Sequence, residues 1–331
     1  MTAVDIETPR KGELLPSALA TSLVVFLFAV ALSSPAAAQV PTDRLKPPGR
    51  LVDLEGYRLH LLCTGRRDFG GPTVVLSIGG GGFAVDWSLV QTPLSDSARV
   101  CSYDRPGFGW SDAGPTPRTL AQEAFELRSA LEKAGERAPF ILVGQSLGAF
   151  VVRRFAEAHP ADVSGVVLVE PANENGYLGY RGQWVIPRTL ASARPIPPVR
   201  SFAESPPVPS TATDRSTCLT GGDRSVRLFR CLVPQDDYFA EEMVAFYNAW
   251  RATPHPLGTV PLVVITGTKP RTRPPGLSEA QLRSDSLRLD LSRLSSRGRS
   301  VSDSLSGHHV QRDNPALVVD VVRKMIRSDR E

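Results

Sequence analysis

Several common chemistries have no footing in this chain of 331 residues. Its four cysteines, Cys63, Cys101, Cys218 and Cys231, show no spacing that resembles a zinc site. Its one long glycine run, Gly79 to Gly82, lacks the Lys-Ser/Thr of a P-loop and the spacing of a dinucleotide fingerprint. No internal repeat is visible, and the only biased stretch is a proline-dense one at 186–209. Aromatic residues make up 7 % of the chain and do not interleave with the basic residues of 269–299. That stretch therefore reads as a solvated helix face, and nucleic acid is not an expected partner. Neither a metal nor a cofactor is expected. Histidine is scarce as well, with five in all, so a general base has few candidates.

What is present begins with an N-terminal segment unlike the rest. Arg10 and Lys11 precede a largely apolar run from Leu14 to Leu32, and Ala36 and Ala38 supply the small residues of a cleavage site. This predicts an export signal over 1–38, cut before Gln39, and a periplasmic or secreted protein. The alternative is an uncleaved membrane anchor, because the run is just long enough to span a bilayer. In an oxidising compartment an even number of cysteines can pair. Cys218 and Cys231 are close enough in sequence to close a short loop, and Cys63 and Cys101 sit in apolar strand-like runs; buried free thiols are the alternative for each.

Beyond the leader, "RLVDLEGYRLHLLCTG" suits a hairpin turning at Gly56. Strand candidates (72–78, 98–104, 140–145 and 164–170) then take turns with helix candidates (118–134 and 147–158), which predicts an α/β fold with a mostly parallel sheet and helices on both faces. The rhythm stops from Pro171 to Leu257 and resumes with a strand at 260–267, a helix near 278–296, a short strand at 299–304 and a helix from Pro315. The expected organisation is a core in two parts, 39–170 and 258–331, with a lid inserted over 171–257.

The chemistry centres on "ILVGQSLGAFVVRRFA", residues 141–156. A match to G-x-S-x-G alone settles little, but here a strand precedes it and a helix follows, the context of a nucleophile elbow with Ser146 at its tip. A serine hydroxyl needs a base to take its proton, and the base needs a partner to orient it. His60 lies in an early strand, His159 at a helix end and His255 between prolines, which suits structural or surface roles. His308 and His309 fall in the loop after the last strand, ahead of a helix that Asp313 or Asn314 can cap and Pro315 can start. For the acid, Glu170 stands at the carboxyl end of the sixth strand, with Glu174 four residues on as the alternative. Negative charge developing on a carbonyl oxygen needs preorganised N–H groups. Leu147 supplies one expected donor, and the glycine loop supplies the other, through Gly80.

Taken together, "GQSLG", "SYDRPGFGWSD" (102–112), "GGGG" with Trp87, and "SGHHVQRDNPALV" resemble the α/β-hydrolase superfamily over nearly the whole mature chain. The resemblance implies an eight-stranded sheet. It assigns the base to His308, directly after Gly307, leaving His309 packed outside the site. It also implies loop-structure roles for Asp104, Arg105 and Asp112. The superfamily's commoner acid position, after the seventh strand, offers no carboxylate here before Glu279; some members hold the acid at the end of strand six instead, where Glu170 stands. Serine at the elbow argues against dehalogenase and epoxide hydrolase activity, which use Asp. The expected activity is hydrolysis of an ester, thioester or amide through an acyl-enzyme on Ser146. Phe83, Trp184, Tyr238, Phe246 and Trp250 are candidates to contact a small ester-like substrate or to form the lid's own core. An aminopeptidase-like or carbon–carbon bond hydrolase with the same triad, and a non-catalytic binding protein of this fold, are the rival readings.

Overall fold

The computed structural model describes residues 46–180, 183–190, 194–204, 238–269 and 290–328, with the side chains of 178–184 left out. The leader 1–38, Cys218, Cys231, the side chain of Trp184 and most of the expected helix at 278–296 lie outside the described residues. Among the described residues no helix is long and apolar enough to cross a membrane.

Eight strands form one sheet: β1 (Arg50–Asp53), β2 (Arg58–Thr64), β3 (Thr73–Ser77), β4 (Val100–Tyr103), β5 (Phe140–Gln145), β6 (Val163–Val169), and two from the C-terminal part, Leu262–Gly267 and Gly298–Asp303. A separate two-stranded hairpin, β7 (Leu178–Tyr180) with β8 (Gln183–Val185), precedes that last pair, which are therefore β9 and β10. The sheet order is β1-β2-β4-β3-β5-β6-β9-β10. Only β2 runs against its neighbours, so the sheet is mostly parallel. A parallel sheet must be covered on both faces, and the central strands β3, β4, β5 and β6 accordingly read as near-continuous buried runs.

Side-chain alternation divides the core in two. Val75, Leu142, Val166 and Leu168 pack toward α2 (Leu120–Lys133), α3 (Gly148–Ala158) and α4 (Phe239–Ala252). Val74, Leu76, Ile141, Val143, Val167 and Val169 pack toward α1 (Ser88–Leu94) and α5 (Pro315–Ser328), with Trp87 fully buried among them. The first hairpin turns through Glu55 and Gly56, both at positive φ. Helix α2 starts where the Thr119 hydroxyl accepts from the Gln122 N–H, and Asn314 accepts from Leu317 at the start of α5. Asp313, the other expected cap, instead accepts from the Gly307 N–H at 2.9 Å.

One element was not anticipated and one expectation needs correction. Helix α1 carries no strong periodic signal, being seven residues long with Pro93 inside it. The described end of the expected helix at 278–296 is a single 3-10 turn, Leu291–Leu294, begun by Asp290 and followed by extended backbone at Ser295. Cys63 and Cys101 face each other across β2 and β4 and form a disulfide; no cysteine among the described residues is free.

Between β6 and β9 the chain leaves the sheet. Its helix α4 docks on the core through Glu242, whose buried carboxylate accepts from the N–H groups of Leu120 (2.7 Å) and Ala121 (3.3 Å) at the positive end of α2. Phe246 packs against Phe150, with the guanidinium groups of Arg153 and Arg154 over its ring at 4.3 and 3.8 Å.

Candidate active site

Strand β5 ends at Gln145 and α3 begins at Gly148, leaving two residues in which the chain must reverse. Ser146 makes the turn at φ 51°, a left-handed conformation that is costly for a residue with a Cβ. The turn is held by its neighbours: the Ser146 N–H donates to Val169 O of β6, and the Ser146 carbonyl accepts from Ala149 and Ala172. Strand and helix come so close that a Cβ on Gly144 would lie 2.7 Å from the Ala149 Cα, and one on Gly148 would lie 2.4 Å from the Ser77 carbonyl. The two flanking glycines of the motif are thus steric requirements.

The histidine loop approaches from β10. Asp303, at the end of that strand, accepts from the Leu305 N–H and from the side chains of Ser306 and Asn314. Burial works against the Asp303 charge, but these hydrogen bonds outweigh it and hold the carboxyl below its ordinary range. The loop is also tied to the end of β9, where Thr268 N–H donates to Asp303 O and Lys269 N–H to Ser306 O. This scaffold sets His308 with Nε2 3.0 Å from Ser146 Oγ and Nδ1 3.2 Å from Glu170 Oε2.

Glu170 is buried, directly after β6, at φ 43°, and its N–H donates to Ile265 O of β9. Glu174, the alternative, is engaged elsewhere: its carboxylate makes a two-pronged pair with Arg153 at 2.9 and 3.0 Å, both side chains fully buried. His309 is exposed, with its ring 5.2 Å from that of His308. Partial burial, then the nearby His308 and Arg312, lower its pKa.

Of the expected oxyanion donors, Leu147 precedes the first turn of α3, and Gly80 lies in the loop after β3 next to open space. Neither N–H has a partner among the described residues. Phe83 is half-buried beside that loop, and its N–H donates to Asp86. Tyr238 lies under the Arg194 guanidinium and Trp250 is partly buried against the core. Phe246 is fully buried in the packing of α4 on α3.

Asp104, Arg105 and Asp112 build the walls. Asp104 is fully buried and accepts from Ala84 N–H (2.7 Å) and Trp110 N–H (3.0 Å), with His60 Nδ1 at 2.8 Å. Asp112 pairs with Arg58 through both carboxylate oxygens. Three contacts have no sequence signal of their own. Gln145 accepts from Gly79 N–H and donates to the His308 carbonyl, and Arg105 donates to the Gly79 carbonyl. Among the described residues one trio of metal-ligating types lies together, Cys63, Cys101 and Glu136. The cysteines are bonded to each other and offer no thiolate, and the Glu136 carboxylate is engaged by Arg67 and Arg99.

Residues 74–321 match the profile of the Alpha/beta hydrolase family. The chain belongs to that family. By sequence, this hydrolase-family chain is 42 % identical over 111 residues to a Klebsiella pneumoniae protein provisionally named as a carbamate hydrolase, an overlap of 33 % of the chain and 39 % of that protein. It is 36 % identical over 107 residues to an AB hydrolase superfamily protein of Gibberella zeae, covering 31 % of the chain and 33 % of the relative. The chain thus spans well under half the length of either relative. By fold, it is similar to the enol-lactonase from Burkholderia xenovorans LB400 (TM-score 0.54, 19 % identity, 84 % of this chain and 100 % of that one). A thermophilic esterase from Thermogutta terrifontis is similar too (TM-score 0.51, 17 % identity, 85 % and 99 %).

Proposed function

We propose that this protein is a serine hydrolase that cleaves a carboxylic ester, or a related thioester, amide or lactone, through an acyl-enzyme on Ser146. One observation carries the reading: Ser146 Oγ, His308 and Glu170 stand in hydrogen-bonded sequence at 3.0 and 3.2 Å, with the serine raised on a strained turn. Glu170 keeps the proton of the neutral imidazole on Nδ1, which leaves the Nε2 lone pair facing the hydroxyl. As Ser146 Oγ bonds to the substrate carbonyl carbon, its proton passes to Nε2 and the carbonyl electrons move onto oxygen. The N–H groups of Gly80 and Leu147, with the positive end of α3 behind them, stabilise that oxyanion. Collapse expels the alkoxide, which takes the proton from His308, and a water activated by the same imidazole then hydrolyses the acyl-enzyme. Apart from that water and the substrate, every group the proposed cycle calls on is a side chain or backbone N–H of this chain.

Support for an ester-like substrate comes from the nature of this machinery, which serves acyl transfer, and from similarity to proteins named as an enol-lactonase, an esterase and a carbamate hydrolase. Residues 171–257 are the proposed lid, with Phe83 and Trp184 as substrate contacts, and residues 1–38 the proposed export signal.

The test is labelling of the protein by a fluorophosphonate, alongside Ser146→Ala and His308→Ala, followed by turnover of p-nitrophenyl esters across acyl lengths. Labelling that disappears in Ser146→Ala and slows strongly in His308→Ala is the expected result. A well-folded wild type that neither labels nor turns over any ester refutes the proposal and favours a binding protein.

A further inference from the structure

Gly79 is held through both of its peptide groups. Gly79 N–H donates to Gln145 Oε1 at 3.2 Å. The Gly79 carbonyl accepts from Arg105 Nη2 at 3.3 Å and from Gly82 N–H at 3.2 Å. Both side chains are nearly inaccessible, Arg105 at 6 % and Gln145 at 2 % exposure. Arg105 is itself steadied, with Glu123 3.8 Å from Nη1 and the Phe108 ring 4.5 Å from its guanidinium carbon. The far end of the Gln145 carboxamide donates to the His308 carbonyl at 3.0 Å.

Planarity gives this arrangement its consequence. In a trans peptide the C=O of one residue and the N–H of the next point in opposite directions, and the cis bonds among the described residues are elsewhere. Fixing the Gly79 carbonyl toward Arg105 therefore fixes the Gly80 N–H toward the other side. Gly79 abuts the nucleophile, since a Cβ built on it would lie 2.8 Å from the Ser146 Cβ. A loop of four consecutive glycines has the least intrinsic reason to hold one orientation, so the orientation must come from its hydrogen bonds, one within the loop from Gly82 and the others from Arg105 and Gln145 outside it.

We propose that Arg105 and Gln145 are positioning residues that preorganise the Gly80 N–H as an oxyanion donor. Gln145 in addition couples that donor to the backbone of the base. The inference rests on the acyl-transfer reading of Ser146 and extends it to two residues outside the triad. The value of an oxyanion donor lies in being aimed before charge develops. Loss of the aim should therefore cost the chemical step and leave ground-state binding in place.

The test compares a p-nitrophenyl ester with the corresponding thionoester, in which sulfur replaces the carbonyl oxygen and gains little from N–H donors placed for oxygen. In the wild type, turnover of both must vanish with Ser146→Ala. An inactive wild type, or activity that survives this change, overturns the function and the inference with it. With that in place, Arg105→Met and Arg105→Lys are expected to lower kcat for the oxygen ester about tenfold or more, with KM and thionoester kcat within about threefold. Gln145→Met, which removes no charge, carries the test if both Arg105 variants fail to fold. It should lower both rates through the His308 loop, and the oxygen ester by the larger factor. Folded variants that keep oxygen-ester kcat within threefold, or that lose both esters equally, overturn the positioning role while leaving the serine hydrolase reading intact.

Discussion

Exchange of Glu170 and Glu174, one at a time, for glutamine separates two buried carboxylates only four residues apart. Glu174 is paired with Arg153 through two hydrogen bonds at 2.9 and 3.0 Å, where neither side chain exceeds 1 % exposure. Removing one partner of such a pair leaves an uncompensated buried charge and costs roughly 3–5 kcal/mol. For a domain of this size each kcal/mol moves Tm by about 2–4 °C, so Glu174→Gln should lower Tm by roughly 6–20 °C. Its kcat per folded molecule should change little, because Glu174 does not touch His308. Glu170 faces an imidazole whose side chain is 42 % exposed, and glutamine preserves its shape, so Glu170→Gln should cost little stability. It offers an N–H or a neutral oxygen where a carboxylate held the Nδ1 proton, and mis-set tautomers of this kind cost about 10⁴ in kcat, or about 5.5 kcal/mol of activation free energy. Thermal denaturation and p-nitrophenyl ester kinetics on the same preparations read both effects. Glu170→Gln within tenfold of wild type, or Glu174→Gln with unchanged Tm and collapsed kcat, would refute the assignment of the acid.

Gly148→Ala should yield little folded protein, because its Cβ would meet the Ser77 and Ile78 carbonyls at 2.4 and 2.7 Å and backbone cannot yield cheaply; soluble expression and circular dichroism check this. Glu242→Ala removes the carboxylate that closes the first turn of α2 from α4, an expected loss of about 1–2 kcal/mol by denaturant melt, with faster proteolysis within 171–257; unchanged protection there would show that α4 is anchored by its apolar face alone. His309 has a folded pKa below the 6.5 of the free side chain, through burial and then His308 and Arg312. Between those two values the unfolded chain binds the proton and the folded one does not, so stability falls as pH drops through about 6.5. His309→Asn should flatten Tm over pH 5–7, and an unaltered slope would sink the assignment.

How much of this was legible beforehand depended on whether a feature is local. The strands were, because buried parallel strands carry apolar runs such as "FILV" and "VVLV", and the elbow was, because its two glycines are demanded by contacts within the turn itself. Helix α1 was not, since seven residues with an internal proline leave no period to detect. The choice between Glu170 and Glu174 was open for a different reason. Both are buried carboxylates near one strand end, and only the position of Arg153 on α3 shows that Glu174 is already engaged. The contacts of Gln145 and Arg105 were hidden in the same way, although the resemblance marked Arg105 for loop structure. They form only when the sheet brings three loops from β3, β4 and β10 together at its carboxyl edge, the region where open α/β sheets present their chemistry.

That edge also explains how the proposed acid can stand after β6 when the end of β9 has none. The two described residues directly after β9 serve structure: the N–H groups of Thr268 and Lys269 hold the backbone of the histidine loop. One strand over, Glu170 repeats the local device used for Ser146. Each residue directly follows a parallel strand, each is driven to positive φ (51° and 43°), and each donates its N–H to a carbonyl of the neighbouring strand, Val169 for Ser146 and Ile265 for Glu170. Such strained residues cost about 1–3 kcal/mol apiece and persist only where the surroundings over-determine them. Two in adjacent strands, aimed at the two nitrogens of one imidazole, are hard to explain by packing, which would be served as well by a relaxed backbone. The strain is better explained as the cost of bringing a hydroxyl and a carboxylate to either end of His308 from neighbouring strands about 4.8 Å apart.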